Sequence, residues 1–489
     1  MIVVLDLGTT GNRAVAFSDQ GHRVAQAYEE FPLYTPQPGW VEQNPIEIWD
    51  SCLRVLSKVM AEVGSGSVVA IGITNQRETT IVWDQATGQP VYTAIVWQCR
   101  RTAKLCQELS QHRDLVKSKT GLFLDPYFSA TKIKWILSNV PGLEDRARKG
   151  ELRFGTVDSW IIWKLTQGRS YVTDVTNASR TLLLNIHTGQ YDDELLNLFD
   201  IPKAMLPEVR SCDAEFGECL LFNHPIPIRG VMGDQHASLF GNAGWQDGVV
   251  KNTYGTGLFL MACTGGNIAE SDQLISTIAW ELAGKRAYAV EGSVFTGGSL
   301  IQWIRDELGL VNSSGDTEAL ALSVNSSDGV VVVPALTGLG APYWAPHARG
   351  SIMGLSRGTT KAHIVRAALE SLAYQTKSVA DVMASFLPGG TIKTLRVDGG
   401  ACQNDFLMQF QADILGCDID RPTDLETTAF GVALMSGIAS GIWTLEDGIR
   451  LRKMDRVFVP ETGLKPVSTG YRRWKQAVDL ALVFGEAQT

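Results

Sequence analysis

Short apolar runs alternate with helical patterns along the chain, and this alternation predicts an α/β fold built in layers. Apolar and β-branched residues at 2–5, 13–17 and 23–28 predict three strands, with a polar, glycine-bearing turn at 6–12 between the first two. A further strand of the buried type is predicted at 68–73. The chain is therefore expected to open with a sheet.

A helix is predicted to begin at Pro45. Asn44 before it is a favourable N-cap, and proline suits the first helical position. The apolar residues that follow recur with helical spacing. They are Ile46, Trp49, Leu53, Leu56, Met60 and Val63.

The second half of the chain repeats this arrangement. Apolar residues at 249–250 and 258–260 flank a second Gly/Thr turn at 252–257, about half the chain length after the first turn. Two halves that each open with a Gly-Thr hairpin are consistent with an ancient duplication. The turn-forming residues at 241–247 indicate the boundary between the halves.

A strand, a glycine loop and a helix follow one another near the C-terminal end. Apolar residues predict a long helix at 361–386, a strand at 395–397 and a helix at 404–415, with a tight loop at 398–401 before the last helix. A glycine loop that leads into a helix N-terminus is suited to bind an anion.

Composition narrows the class of protein. The chain has 489 residues, of which 45% are hydrophobic, and a net charge of −9. A mildly acidic chain argues against nucleic acid as the main partner, because phosphate backbones require a basic face.

The sequence also argues against membrane insertion and secretion. No apolar run approaches the roughly 18 residues that span a bilayer, and residues 1–6 contain no basic region typical of a signal peptide. The eight cysteines form no CxxC pair, so neither a zinc site nor a disulfide framework is indicated. These features predict a cytoplasmic protein.

The two Gly/Thr turns are candidates for binding phosphate. Glycine lets backbone N–H groups approach phosphate oxygens closely, and threonine hydroxyls add uncharged donors. One such turn is weak support, since hairpins need glycine in any case. Two turns together with the loop at Gly399-Gly400 favour phosphate binding considerably more than one turn does.

Two aspartates stand at positions suited to catalysis, each with a plain structural alternative. Asp6 could hold Mg²⁺ through water, or it could cap its own turn. Asp234 follows an apolar strand and could be a general base for a hydroxyl nucleophile, or it could cap the helix that begins there.

The polar residues at 75–78 suit a substrate made of hydroxyl groups. Arg77 supplies only donors and Glu78 only acceptors. Neighbours on a straight strand face opposite sides, so both side chains reach one ligand only if the backbone turns there. A salt-bridged surface turn is the alternative. Trp97 and Phe259 could form an apolar wall against C–H groups and Tyr127 could add a hydroxyl, or all three could pack in the core.

Taken together, the motifs resemble those of the FGGY carbohydrate kinases of the actin-like ATPase fold, and among them the members that phosphorylate glycerol. The matching segments are spread over nearly the whole chain. They are 6–10, 36–42, 75–80, 95–102, 125–129, 155–158, 233–235, 251–257, 338–344 and 397–401. The runs from 36 and 75 and Trp97-Gln98 favour glycerol over pentuloses.

The resemblance implies two RNase-H-like domains on either side of a deep cleft, with residues 1–243 binding the polyol and residues 244–489 binding the nucleotide. It implies an enzyme of glycerol catabolism that phosphorylates the terminal hydroxyl of glycerol to sn-glycerol 3-phosphate, with ATP and Mg²⁺ as cofactors. It leaves a homodimer or a homotetramer open.

The resemblance also implies roles for individual residues. The polyol-binding residues would be Arg77, Glu78, Trp97, Tyr127, Asp234, Gln235 and Phe259. The nucleotide-binding residues would be Thr9, Thr10, Gly11, Arg13, Thr256, Gly298, Gln302, Gly400 and Asn404. Asp234 would be the catalytic base, and Asp6 and Asp234 would be associated with Mg²⁺ through water.

The sequence departs from this family at three places. Two serines are usual where this chain has Gly11-Asn12, and a glutamine is frequent where it has His236. Residues 222–229 do not match the loop that binds fructose 1,6-bisphosphate in some bacterial members. Two other functions remain open at this point: a kinase of another polyol or ketose, and a nucleotide-driven binding protein that shares the fold.

Overall fold

The computed structural model describes residues 1–461 and 465–486. The strands, in chain order, are β1 (Ile2–Leu7), β2 (Gly11–Phe17), β3 (Arg23–Glu30), β4 (Glu42–Gln43), β5 (Ala70–Asn75), β6 (Ile81–Asp84), β7 (Ala94–Ile95), β8 (Leu152–Gly155), β9 (Val172–Asp174), β10 (Leu184–Asn185), β11 (Gln190–Tyr191), β12 (Glu208–Arg210), β13 (Glu215–Cys219), β14 (Ile226–Gly233), β15 (Val249–Tyr254), β16 (Leu258–Gly265), β17 (Ile275–Leu282), β18 (Lys285–Val294), β19 (Val331–Val333), β20 (Ser351–Met353), β21 (Thr394–Asp398), β22 (Asp418–Pro422) and β23 (Met454–Phe458).

The α-helices, in chain order, are α1 (Pro45–Val63), α2 (Ala103–Glu108), α3 (Arg113–Thr120), α4 (Ser129–Asn139), α5 (Leu143–Arg148), α6 (Val157–Leu165), α7 (Val175–Ala178), α8 (Asp193–Phe199), α9 (Asp234–Gly241), α10 (Gly298–Asp306), α11 (Asp316–Leu322), α12 (Lys361–Ala384), α13 (Asp405–Leu415), α14 (Thr427–Ala439), α15 (Leu445–Leu451) and α16 (Lys465–Glu486).

Two large sheets share one strand pattern. The first has the order β13-β14-β5-β1-β2-β3, and the second has the order β17-β18-β16-β15-β21-β22-β23. In the first, β1, β2 and β3 are antiparallel while β5 and β14 run parallel to β1. In the second, β15, β16 and β18 are antiparallel while β21 and β22 run parallel to β15. The α/β prediction is confirmed, and the shared pattern agrees with two similar halves.

The helix predicted from Pro45 is present as α1, and Ile46, Trp49 and Val63 pack, partly buried, against the same core as Leu56 and Met60. Asn44 Oδ1 accepts from the Ile46 N–H at 2.9 Å, as expected of an N-cap. Of the six apolar residues predicted for this helix, only Leu56 and Met60 are buried. The buried face of α1 consists of Pro45, Ile48, Ser51, Cys52, Val55, Leu56, Val59 and Met60. Small residues at 51 and 52 allow close packing on the sheet, which apolar periodicity does not reveal.

Other predicted elements are shifted in their bounds. The strand predicted at 68–73 is β5, which begins at Ala70 because Val69 before it is exposed. The long helix is α12, which ends at Ala384. Its apolar residues Val365, Ala368, Leu369, Leu372 and Val379 are buried in the core of the second half of the chain.

Strand alternation in β1 separates two hydrophobic cores. Val3, Leu5 and Leu7 pack on one face of the sheet with α1. Ile2 and Val4 lie on the other face, in a core shared with residues of the second half of the chain. Asp6 belongs to this second face, which therefore places it toward the second half of the molecule.

Helix α14 belongs to the second half of the chain but packs against the first sheet. It contacts β1, β5, β14 and α9. At its crossing with α9, a Cβ on Gly241 would lie 2.9 Å from Gly431 N, so only glycines allow the two backbones to approach. Phe430, Leu434 and Met435 join the shared core. The two halves are thus joined by packed helices as well as by the chain.

No helix within residues 1–461 and 465–486 has the length and apolar character required to cross a membrane. All eight cysteines are free thiols.

Candidate active site

The first hairpin presents two charged residues on the face that looks toward the second sheet. Asp6 in β1 and Arg13 in β2 are direct partners in the antiparallel register. Asn12 lies on the opposite face, where its amide donates to Ile48 O at 2.8 Å and to Ser51 Oγ at 2.6 Å. Asn12 therefore anchors helix α1. It does not stand in for a phosphate-binding serine.

The backbone turns at Glu78. Such a turn is required if the side chains of Arg77 and Glu78 are to reach one ligand. Strand β5 ends at Asn75, the Thr79 N–H donates to Arg77 O at 2.7 Å, and Glu78 has a φ of 61°. Arg77 and Glu78 are 2% and 1% exposed, so the alternative of a surface salt-bridged turn is wrong. The buried Lys132 ammonium supports the turn by donating to Glu78 O at 3.1 Å and to Tyr127 O at 2.7 Å.

Four charged side chains form a buried cluster behind this turn. Arg77 Nη1 and Nη2 lie 2.6 Å and 2.9 Å from the two carboxylate oxygens of Glu291. Arg180 Nε donates to Glu78 Oε1 at 2.6 Å, and its Nη2 donates to Glu291 Oε1 at 3.2 Å. Two arginines and two glutamates thus pair with one another, which is the condition under which buried charges are tolerated.

Arg180 and Glu291 are absent from the predicted site. Arg180 follows the short helix α7, and Glu291 lies in β18 within the apolar run 287–294. A charged residue in an otherwise apolar strand is the one signal that could have identified Glu291. The sequence indicated no partner for it, because Arg77 is 214 positions away.

Asp234 is the first residue of α9 and faces the cleft. Gly233 is the N-cap, so the alternative in which Asp234 caps the helix is wrong. Its Oδ1 accepts from the Gln235 N–H at 2.7 Å and lies 3.2 Å from Arg77 Nε, and 31% of the side chain is exposed. Burial by the surrounding walls raises the pKa of Asp234, although Arg77 opposes the shift. A carboxylate with a raised pKa is a better base than an ordinary aspartate.

Gln235 is held by a lysine from the second half of the chain. Lys251 Nζ donates to Gln235 Oε1 and, at 3.3 Å, to Phe259 O. Burial lowers the pKa of Lys251 to about 8, with Asp398 and Asp234 acting against that shift. Lys251 was not among the predicted site residues, and the strand alternation of β15 places it opposite the buried Val250.

The three predicted aromatic residues form one partly exposed wall. The rings of Trp97 and Tyr127 lie 5.7 Å apart, and those of Trp97 and Phe259 lie 6.3 Å apart, both edge to face. Trp97 Nε1 donates to Thr9 Oγ1 at 2.9 Å. The wall therefore joins the first Gly/Thr bend to a strand of the second sheet.

Five of the predicted nucleotide-binding residues line one cavity of about 480 Å³. They are Thr256, Gly298, Gln302, Gly400 and Asn404. The second Gly/Thr bend is fixed to the start of α10, since Gly298 N donates to Gly255 O at 2.7 Å and Gly297 N to Thr256 O at 2.8 Å. This volume lies within the ordinary range for small-molecule sites.

The glycine loop at 399–400 does not lead directly into the helix. A short 3₁₀ turn, Gly400–Gln403, comes between them, and Asn404 caps α13 through its Oδ1, which accepts from the Leu407 N–H at 2.9 Å. Gly399 has a φ of +85°, and a Cβ there would lie 2.6 Å from Tyr254 O. The loop therefore packs closely against β15.

The first bend is held rigidly, and its arginine is already paired. Gly8 N donates to Gly11 O at 3.0 Å, and Gln43 Nε2 donates to Thr9 O at 2.5 Å. Thr10 at the tip is exposed, while Gly11 is buried at the start of β2. Arg13 pairs with Glu426 and lies 5.4 Å from the Tyr28 ring centroid. Arg13 can contact a phosphate only if its guanidinium binds the phosphate and Glu426 together or moves away from Glu426.

The carboxylates of Asp6 and Asp234 are suited to a Mg²⁺ ion that is also coordinated by nucleotide phosphates. No group of three or more His, Cys, Asp or Glu side chains in the described part of the chain is arranged to hold a metal. Burial raises the pKa of Asp6 to about 7, with Arg13 opposing and with Glu426 and Asp234 adding to the rise. Mg²⁺ commonly binds one or two carboxylates together with substrate phosphates, so Asp6 and Asp234 fit such an ion.

Comparison with known proteins agrees with this arrangement. Residues 1–241 match the N-terminal domain of the FGGY family of carbohydrate kinases, and residues 250–440 match its C-terminal domain. The chain is 51% identical over 492 residues to a glycerol kinase of Geobacillus sp. (strain WCH70), covering 99% of both chains. It is 53% identical over 488 residues to a glycerol kinase of Fusobacterium nucleatum subsp. nucleatum, covering 98% of both.

Solved structures share the fold. A Plasmodium falciparum glycerol kinase with ADP superposes with a TM-score of 0.91 at 34% identity, covering 99% of this chain and 98% of the other. A ligand-bound xylulose kinase from Lactobacillus acidophilus gives a TM-score of 0.86 at 21% identity, covering 100% and 98%. The predicted pair of RNase-H-like domains of the actin-like ATPase type is confirmed.

Proposed function

The chain belongs to the FGGY family of carbohydrate kinases, and from this we propose that Asp234 is the general base of an ATP-dependent kinase that acts on glycerol. Full-length relatives at about half identity are glycerol kinases, so the chain phosphorylates glycerol with ATP as the phosphoryl donor and Mg²⁺ as the metal. The terminal hydroxyl is the acceptor, and sn-glycerol 3-phosphate is the product.

One observation carries the assignment of the base. Asp234 is the carboxylate that combines a cleft-facing position with a 3.2 Å contact to Arg77, a buried donor at the polyol end of the site. The polyol would lie between Arg77, Glu78 and Gln235 on one side and the wall of Trp97, Tyr127 and Phe259 on the other. Arginine donors and a glutamate acceptor suit adjacent hydroxyl groups, and the aromatic rings suit the C–H face.

The chemistry requires one proton transfer and one phosphoryl transfer. Asp234 accepts the proton of the terminal hydroxyl as its oxygen forms the bond to the γ-phosphorus, and ADP leaves with the bridging oxygen. Mg²⁺, when bound, neutralises charge on the β- and γ-phosphates. Backbone N–H groups and hydroxyls of the bends at Thr9-Thr10 and Thr256 would hold those phosphates, with Arg13 beside the first bend.

The cavity lined by Thr256, Gly298, Gln302, Gly400 and Asn404 would hold the rest of the nucleotide. We assign residues 1–243 to the polyol domain and residues 244–489 to the nucleotide domain. The two sheets, built from residues 2–233 and 249–458, support this division. Residues 462–464 and 487–489 of the second domain lie outside the described part of the chain.

Exclusion of water is the condition for efficient transfer, because water competes with glycerol as the nucleophile. Closure of the two domains around glycerol would bring Asp234 and the γ-phosphate together only when the polyol is present. A cytoplasmic location, where ATP is available and thiols stay reduced, is consistent with the eight free cysteines.

An ATP-dependent phosphorylation assay tests the function. ADP formation is measured with glycerol, with a pentulose and with water alone, and the stereochemistry of the phosphorylated product is determined. We expect rapid ADP formation only with glycerol. ADP formation of equal rate without glycerol, or faster with the pentulose, would contradict the proposal.

A further inference from the structure

Glu291 belongs to the second sheet, but its carboxylate meets residues of the first half of the chain. In β18, Val290 and Val294 lie in the core of the second half, so alternation turns Glu291 and Ser293 to the opposite face. Glu291 is fully buried there.

Both oxygens of Glu291 are engaged, which fixes the orientation of the carboxylate. Oε2 accepts from Arg77 Nη1 at 2.6 Å. Oε1 accepts from Arg77 Nη2 at 2.9 Å, from Arg180 Nη2 at 3.2 Å and from Ser293 Oγ at 3.1 Å. Although burial alone would raise it, the pKa of Glu291 lies well below its usual range because Arg180 and Arg77 face it.

A two-point contact of this kind determines the plane of a guanidinium group. With Nη1 and Nη2 of Arg77 held by Glu291, the Nε edge is directed at Asp234, whose Oδ1 lies 3.2 Å away. A single contact would leave the planar group free to turn about its Cγ–Cδ and Cδ–Nε bonds.

We propose that Glu291 is a positioning residue for glycerol, which acts by holding the Arg77 guanidinium so that its donors face the polyol and Asp234. The inference rests on the proposed function. It makes the polyol site dependent on both domains, since the first domain supplies Arg77 and the second supplies the carboxylate that orients it.

A structural alternative is that Glu291 only neutralises Arg77 and Arg180. The two explanations differ in a double variant. Arg180→Gln/Glu291→Gln removes one positive and one negative charge together, so the cluster keeps its charge balance while Arg77 loses its two-point partner. Because Arg180 also donates to Glu78, the single variant Arg180→Gln is the reference for the double variant. Charge balance predicts that adding Glu291→Gln to Arg180→Gln restores KM for glycerol toward that of the unmodified protein, whereas positioning predicts that it raises KM for glycerol further.

The experiment measures KM for glycerol, KM for ATP, kcat and thermal stability in Glu291→Gln, Glu291→Asp, Arg180→Gln and the double variant. Glu281→Gln is the matched control, since Glu281 in the neighbouring strand β17 accepts from Arg286 Nε at 3.0 Å away from the cluster. We expect KM for glycerol to rise roughly 10-fold or more in Glu291→Gln, with KM for ATP changed by less than about 2-fold.

The shorter Glu291→Asp keeps the charge but withdraws the carboxylate, and we expect it to fold and to retain a raised KM for glycerol. If Glu291→Gln does not fold, Glu291→Asp and the double variant carry the test. A wild-type KM for glycerol in either of them would overturn the inference while leaving the proposed function intact. Absence of glycerol-dependent ADP formation by the unmodified protein would overturn both.

Discussion

Arg77 Nε lies 3.2 Å from Asp234 Oδ1, so the proposed donor to the polyol and the proposed base are in direct contact. The Gln235 N–H donates to the same oxygen at 2.7 Å. Because both contacts engage Oδ1, we expect Oδ2 to accept the proton of the attacking hydroxyl. The pair also explains why Gly233 precedes the base, since a Cβ there would lie 2.8 Å from Cγ and Cδ of Arg77.

Replacement of the proposed base should separate binding from turnover. We expect Asp234→Asn to lower kcat about 10²- to 10⁴-fold, because the amide has the shape of the carboxylate but accepts no proton. Calorimetry should show glycerol binding close to that of the unmodified protein. The exposed Asp193, which pairs with Lys203 at 3.2 Å, provides the control Asp193→Asn. Turnover close to normal in Asp234→Asn would exclude this residue as the base.

Removal of Arg77 should affect one substrate more than the other. We expect Arg77→Ala to raise KM for glycerol about 10- to 100-fold, the effect of losing hydrogen bonds from a charged donor, with little change in KM for ATP. Steady-state kinetics with each substrate varied in turn measures both constants. Arg100→Ala, which breaks a half-exposed pair with Asp125 at 2.7 Å, is the control.

The same variant should be less stable, because Glu291 would be left buried and partly unpaired. The loss of one partner from a buried ion pair costs about 3–5 kcal/mol. Arg180 remains beside Glu291, which reduces the cost. An equal weakening of ATP and glycerol binding would place Arg77 outside the polyol site.

Asp6 should make the stability of the ligand-free protein depend on pH. Its folded-state pKa of about 7 is raised above that of the unfolded chain, so its stabilising contribution is complete at low pH and is lost as the pH rises through about 7. The variant Asp6→Asn has no carboxyl group at this position to titrate. We therefore expect its melting temperature, relative to the unmodified protein, to increase from pH 5 to pH 8.

Differential scanning calorimetry of both proteins at pH 5, 6, 7 and 8 measures this difference. The exposed Asp114→Asn serves as the control and should show no comparable trend. A constant difference between Asp6→Asn and the unmodified protein at all four values would contradict the assignment.

The helix crossing between the two halves should not tolerate a methyl group. A Cβ on Gly431 would overlap Ala237 O and lie 2.7 Å from Ala237 C and 2.8 Å from Gly241 N. We expect Gly431→Ala to destabilise the protein by about 1–3 kcal/mol, because overpacking exceeds the gain in helix propensity. Gly66→Ala, with nothing within 4 Å of its Cβ, is the control for thermal unfolding. Equal melting temperatures for the two variants would show that the helices can move apart.

The features that the sequence predicted are those that depend on neighbouring positions. Asn44 and Pro45 predicted the start of α1, and the glycines near 8 and 255 predicted two hairpins, because caps and tight turns act over a few residues. The polar run at 75–78 likewise indicated a backbone turn, and the structure has it at Glu78. Local periodicity identified α1 but not all of its most buried positions, since Ser51 and Cys52 are fully buried and are not part of an apolar pattern.

The sequence by itself determined the α/β class, the two repeated halves and the candidate residues for a kinase site. Only the tertiary structure decided which charges share that site. Glu291 and Arg180 became part of it, Asn12 was turned to α1, and Arg13 was paired with Glu426. These pairings join residues that are distant along the chain, as with the 214 positions between Arg77 and Glu291. The physical reason is that a buried charge requires an opposite charge or hydrogen-bonding partners, and in this cluster the partners come together only when the two sheets pack.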